Sequence, residues 1–202
     1  MSHALSANPP PHPTRAAYQD CLAALLHPSI ATYTMLGQQR ASIWHAYILM
    51  FASSLIGGAI ESLAPLESQL VAQRSLDVLL LALIPVTALI AVCSLAAFAW
   101  CAQKVARSFK GTGAYAQLAY VLAAISAPLL IVASILDQIP AIRIVLVVVY
   151  LYWLAQYVVA IRAVSGLSRV RAIAVLFIAL LLLGVVWLGI AFLVGYSGIL
   201  LP

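Results

Sequence analysis

The chain is poor in charge, and this shortage decides its class. Of its 202 residues, 65% are hydrophobic and only 7% are charged. Soluble domains carry about 25% charged residues. A water-soluble fold with so few charges would expose more apolar surface than a soluble monomer tolerates. The composition therefore excludes an ordinary soluble domain.

Residues that carry chemistry are scarce as well. Cys21, Cys93 and Cys101 show neither a CxxC pair nor a regular spacing, which argues against a disulfide framework and against a zinc site. No Ser/His/Asp set, paired carboxylates or metal-ligand cluster is visible. We therefore predict no enzyme, no catalytic residues, no metal and no cofactor. The N-terminal region has no apolar core with a cleavage site, so no signal peptide is expected.

The chain has long apolar stretches instead. Crossing the hydrocarbon core of a bilayer takes roughly 20 helical residues. We predict an all-α polytopic membrane protein, a bundle of five transmembrane helices with a short N-terminal amphipathic helix. The membrane domain is assigned to residues 42–202. Its five predicted spans cover residues 42–64, 77–103, 114–136, 142–161 and 172–196.

The region before the first span divides in two. Residues 1–13 are rich in proline and are predicted to be a disordered tail. Residues 14–41 are predicted to be a cytoplasmic amphipathic segment, whose short helix Thr14 would cap and Pro28 would follow. Two placements of this helix stay open: on the membrane surface or against the bundle. Its apolar face would consist of Tyr18, Cys21, Leu22, Leu25 and Leu26.

Basic residues collect on one side of the predicted bundle. Cytoplasmic loops of membrane proteins carry an excess of lysine and arginine. This rule predicts a cytoplasmic N-terminus and an outer C-terminus. Near a membrane surface each such residue contributes about 1 kcal/mol of attraction to anionic lipids. The candidate lipid and partner contacts on this basic rim are Lys104, Arg107, Lys110, Arg162, Arg169 and Arg171.

Small residues mark where helices can approach closely. Small side chains spaced four apart let the backbones of membrane helices pack. They are read either as packing within one chain or as a dimerisation face, so a homo-oligomer stays open. The helix-packing candidates are Ser53, Ser54, Gly57, Gly58, Ala119, Ala123 and Ala127.

A few polar residues within the spans suggest alternatives. A carboxylate in hydrocarbon is costly and marks a candidate site. The first interpretation is a hydrated helix end for Glu61 and interhelical hydrogen bonding for Gln156. In the alternative, Glu61 and Gln156, with the helix-breaking Pro85 and Pro128, line a transport pathway. His45 is a low-ranking candidate ligand to a haem or pigment, because no second histidine lies in any span.

Three segments resemble one family of membrane proteins. KGTGAYAQLAYVLAAISAP, before and within the third span, resembles the third-span start of the Yip (Ypt/Rab-interacting protein) family. LLHPSIATYTML and SGLSRVRAIAV resemble two further connections of its bacterial members. The acidic Asp-Leu-Tyr-Gly-Pro signature of eukaryotic members is absent from LLHPSIATYTMLGQQR. The resemblance thus implies a bacterial-type member in the inner (cytoplasmic) membrane.

The leading functional hypothesis combines these points. We expect a non-enzymatic Yip-type scaffold or accessory subunit that contacts membrane lipids and other membrane proteins, with no nucleic-acid partner. One alternative is a transporter, channel or lipid scramblase. Another is a small subunit of a bioenergetic or photosynthetic complex.

Overall fold

The computed structural model describes residues 17–39, 42–63, 74–139 and 143–200, and all regular structure in them is helical. The predicted tail at residues 1–13, together with Thr14, lies outside the described residues. The helices, numbered here in chain order, are α1 (Ala17–Leu26), α2 (Ile30–Gln39), α3 (Ile43–Leu63), α4 (Arg74–Ser108), α5 (Tyr115–Asp137), α6 (Arg143–Ser165) and α7 (Arg169–Leu200).

The five long helices confirm the predicted fold class. Within α3 to α7, five segments are long and apolar enough to cross a membrane. The helices begin and end within about five residues of the predicted spans, because a break in apolar composition marks each loop but not the exact cap. Both Pro85 and Pro128 lie inside continuous helices.

The N-terminal segment forms two helices, where the sequence predicted one. The helical structure is interrupted at His27–Ser29, around Pro28. Ser29 then caps α2, because its side chain accepts a hydrogen bond from the Thr32 N–H at 3.1 Å. Both helices pack on the bundle: α1 lies against α5, and α2 lies against α5 and α6. Of the two placements left open by the sequence, the structure has the helix packed against the bundle.

Helix α5 is the centre of the bundle. It contacts α1, α2, α3, α4 and α6. In its span 72% of the residues are buried, whereas no other span exceeds 28%. Helix α7 packs on α4 and α6 at the periphery. The outer helices thus present most of their apolar surface to the surroundings, as expected where lipid is the solvent.

The end of α4 has a backbone conformation that a lysine side chain disfavours. The Gly111 N–H donates to the Ala106 carbonyl at 2.8 Å, and the Lys110 N–H donates to the Arg107 carbonyl at 2.9 Å. This pair of bonds is a Schellman motif, whose left-handed position is usually glycine. Here that position is Lys110, with φ 68°.

We expect Lys110→Gly to stabilise the protein. A left-handed conformation costs a side-chain-bearing residue about 1–2 kcal/mol, and glycine avoids that cost. For a chain of this size about 1 kcal/mol corresponds to a rise in Tm of about 2–4 °C. Thermal unfolding in detergent measures it. Lys110→Ala keeps the strained backbone, so an equal rise in both variants would assign the effect to charge.

Candidate functional site

A seam of buried polar groups holds α1 and α2 to the membrane helices. The Tyr33 hydroxyl donates to Gln156 Oε1 on α6 and lies 3.2 Å from the Ala24 carbonyl of α1. The Tyr120 hydroxyl of α5 donates to Asp20 Oδ2 at 2.8 Å. We call these five residues, Ala24 included through its carbonyl, the docking seam. It fixes α1 and α2 to both α5 and α6.

Burial raises the pKa values of two groups in and beside the docking seam. Tyr33 is fully buried, and burial raises the pKa of its phenol, so the hydroxyl stays protonated and donates at neutral pH. Burial and, secondarily, the adjacent Asp20 raise the pKa of the Cys21 thiol to about 11. The thiol is therefore neutral at pH 7 and a poor nucleophile. The polar groups of the docking seam therefore serve to hold helices together.

An apolar cleft lies about halfway along the membrane helices. It has a volume of about 470 Å³ and is open on one side. An apolar cavity of about 150 Å³ already takes up benzene. On its wall Tyr157 stacks on Phe98 at 5.2 Å and meets Trp153 edge-on at 6.3 Å. Its lining comes from α3 to α7 and consists of Met50, Ala91, Ser94, Leu95, Phe98, Ser126, Tyr150, Trp153, Leu154, Tyr157, Leu180 and Leu183.

A smaller, polar recess lies between α3, α4 and α5. The Ser134 hydroxyl donates to Glu61 Oε1 at 2.8 Å. A Cβ atom at Gly57 would lie 2.9 Å from Ser134 Oγ, so glycine is what lets this hydroxyl approach α3. The recess holds about 130 Å³. We call it the Glu61 recess, and its lining is Ser54, Gly57, Gly58, Glu61, Thr87, Ala91, Leu130 and Ser134.

The predicted basic residues lie in or close to the 109–114 and 166–168 connections. Lys104 Nζ lies 5.6 Å from the ring centroid of Trp100, within range of a cation–π contact. Arg162 is partly buried, and its Nε has no hydrogen-bond partner. The others are exposed: Lys104, Arg107, Lys110, Arg169 and Arg171.

The predicted small-residue candidates are used in packing within the chain. Gly57 faces Ser134 on α5, and a Cβ at Gly58 would lie 3.1 Å from Ile84 of α4. Ser53 and Ser54 are buried. The three alanines on α5 are buried as well: Ala119, Ala123 and Ala127.

The remaining candidates do not come together. Glu61 lines its recess without Gln156, Pro85 or Pro128, since Gln156 belongs to the docking seam. His45 is exposed in the first turn of α3. Among the described residues no group of three His, Cys, Asp or Glu side chains could hold a metal ion.

Sequence reasoning predicted an interhelical hydrogen bond for Gln156 but missed the other residues of the docking seam. Asp20 is 3% exposed, and its carboxylate accepts a hydrogen bond from Tyr120 on α5. One signal was available: Tyr33 and Tyr120 are hydroxyl-bearing side chains in otherwise apolar surroundings, and such hydroxyls need partners when buried. Nothing in the sequence indicates which partners those are, because the paired residues lie 100 and 123 positions apart.

Comparisons with known proteins yield one match. The model of the Yip1 domain family matches residues 22–191, most of the chain. No curated protein and no solved structure matches the chain. The matched range begins within α1 and ends within α7, and so covers all five long helices.

Proposed function

The chain belongs to the Yip1 domain family, and from this membership we propose that it is a non-enzymatic membrane scaffold or accessory subunit. It contacts lipids and partner membrane proteins through its apolar helix faces. Its N-terminus is cytoplasmic, its C-terminus is outside, and its membrane is a bacterial inner membrane. The basic rim supports this orientation through the positive-inside rule.

The observation that carries the proposal is how the polar side chains within the bundle are used. They join one helix to another: Tyr33 to Gln156, Tyr120 to Asp20, and the Ser126 hydroxyl to the Tyr157 hydroxyl at 2.6 Å. Buried hydrogen bonds of this kind restrict how the helices can pack against one another. A rigid frame with an apolar exterior suits a protein that holds others in place.

The outer face of α7 is the surface we assign to a partner. This helix packs on α4 and α6 and leaves the rest of its circumference exposed. Four side chains spaced along one face are 60–72% exposed, and all are apolar: Phe177, Leu181, Val185 and Leu188. We call them the α7 stripe. Apolar surface gains little by leaving lipid, so shape complementarity to another helix would decide binding.

Lipid contacts complete the proposed role. The apolar cleft is open and lies about halfway along the predicted spans, and in the proposed role a lipid acyl chain fills it. On the cytoplasmic side, the exposed cations of the basic rim attract anionic headgroups by about 1 kcal/mol each.

Site-specific photo-cross-linking in native membranes tests the partner surface. A photo-reactive amino acid replaces Leu181 or Leu188 on the α7 stripe, and Val148 or Leu151 on the equally exposed face of α6 as matched controls. We expect a protein adduct of one discrete mass from the stripe positions and only lipid adducts from α6. Partner contact at one face explains this difference.

Two results would contradict the proposal. Equal adducts from both faces, or lipid adducts alone, would remove the partner surface. Turnover of a solute by the isolated, reconstituted chain would remove the scaffold role and favour the transporter alternative. An absorbance band lost on His45→Ala would favour the pigment-binding alternative.

A further inference from the structure

The Glu61 recess contains a buried polar atom that the fold leaves without a partner. Ser54 is 7% exposed, and its Oγ has no hydrogen bond to any residue that the structure describes. A serine within a helix normally bonds a carbonyl of the preceding turn, as Ser53 does to Met50 at 2.9 Å. Buried hydroxyls are nearly always satisfied. Ser54 is thus an exception that calls for an occupant of the recess.

Oxygen atoms dominate the polar lining of this recess. Glu61 accepts one hydrogen bond from Ser134 and retains further acceptor capacity. The Thr87 hydroxyl donates its proton to the Ile84 carbonyl at 2.8 Å, which leaves the lone pairs of its oxygen available. With Ser54, the recess offers one carboxylate and three hydroxyl oxygens. Hard cations prefer ligands of this kind.

The charge and the size of the Glu61 recess limit which ligands it can bind. Glu61 has no cationic partner among the side chains that the structure describes, and a single carboxylate balances one positive charge. A water molecule takes up about 30 Å³ in the liquid, so about 130 Å³ accommodates an ion with a few waters. Sites for drug-sized molecules begin at about 300 Å³.

We propose that the Glu61 recess binds a monovalent metal cation such as Na⁺, through the Glu61 carboxylate and the hydroxyl oxygens of Ser54, Thr87 and Ser134. A bound cation satisfies the Ser54 oxygen and offsets the cost of a carboxylate at the end of a membrane span. The inference goes beyond the proposed function and does not depend on it.

Thermal unfolding of the purified full-length chain in detergent tests the site. NaCl is titrated against choline chloride at constant ionic strength. We expect a saturable rise in Tm of about 2–4 °C when Na⁺ is at about five times its Kd, because a ligand that binds only the folded state stabilises it. Glu61→Gln abolishes the response, and Ser54→Ala shifts it to higher Na⁺ concentration.

Ser62→Ala is the matched control, because Ser62 lies beside Glu61 but bonds its own helix and does not line the recess. It keeps the wild-type response. If Glu61→Gln does not fold, the test is the ²³Na resonance, which the wild type should broaden and Ser54→Ala should broaden less at the same Na⁺ concentration. A response to choline equal to that to Na⁺, a response confined to divalent ions, or no response at all would overturn the proposal. With no response at all, water is the occupant that remains.

Discussion

Gly113→Ala is expected to abolish or severely reduce accumulation of folded protein. A Cβ atom at this position would lie 2.5 Å from the Val164 carbonyl oxygen and 2.7 Å from Val164 Cγ1. The first of these contacts is with backbone and cannot be relieved by a rotamer change. The 111–114 connection must therefore move away from the end of α6.

That movement would break two further contacts. The Gly113 carbonyl accepts from Gln103 Nε2 at 3.2 Å, and the Thr112 N–H donates to the Ser165 carbonyl at 3.3 Å. Overpacking costs about 1–3 kcal/mol, and buried groups left without partners add to it. We expect a loss of at least about 3 kcal/mol in the free energy of unfolding, measured by thermal unfolding in detergent.

Gly184→Ala is the matched control for this prediction. Gly184 is inside α7, and beyond its own helical backbone no atom of the described residues lies within 4 Å of where its Cβ would be. Its stability should be unchanged or slightly raised, because alanine favours a helix over glycine. Equal losses in the two variants would show that the 111–114 connection is not packed against α6 as described.

Tyr33→Ala is expected to release α1 and α2 from the bundle. Removing a fully buried aromatic ring costs about 3–5 kcal/mol, and the Gln156 side chain also loses the hydroxyl that donates to its oxygen. The lost stability comes from the contacts that dock α1 and α2 on the bundle, whereas α3 to α7 keep their own packing. Hydrogen exchange should therefore rise across residues 17–39 and stay near wild type in α5.

Two further substitutions separate the ring from its hydroxyl. Tyr33→Phe keeps the ring and loses only the hydrogen bonds to Gln156 and Ala24. Its free energy of unfolding should therefore fall by about 1–3 kcal/mol. Ile30→Ala, at an exposed position of the same helix, should leave exchange unchanged. Protection of residues 17–39 that survives Tyr33→Ala would mean that other contacts dock these helices.

The spans could be predicted because a segment in lipid must be apolar and helical, and a long apolar stretch is visible in the composition alone. Any stretch such as the one around Leu183 must satisfy its backbone internally, and only a helix does so in one segment. The docking of α1 could not be predicted, because amphipathic patterning is the same for a membrane surface and for a protein surface. The burial of Asp20 depends on a tyrosine that lies far along the chain.

The Glu61 recess, too, could be predicted only in part. Glu61 is visible in the sequence as a carboxylate at the end of a span. Its recess is not, because it requires α4 and α5 to bring Thr87 and Ser134 against α3. Gly57 was recognised as a small residue for packing, whereas the structure shows that its missing side chain also admits the Ser134 hydroxyl.

The pairing of Tyr33 with Gln156 has a consequence for biosynthesis. The two residues are 123 positions apart, and translation proceeds at roughly 5–20 residues per second. Between the emergence of one residue and the other, roughly 6–25 s pass in which α2 has no α6 to settle on. During that interval the nascent N-terminal helices remain accessible to insertion factors and chaperones, and closure of the seam ends this exposure late in synthesis.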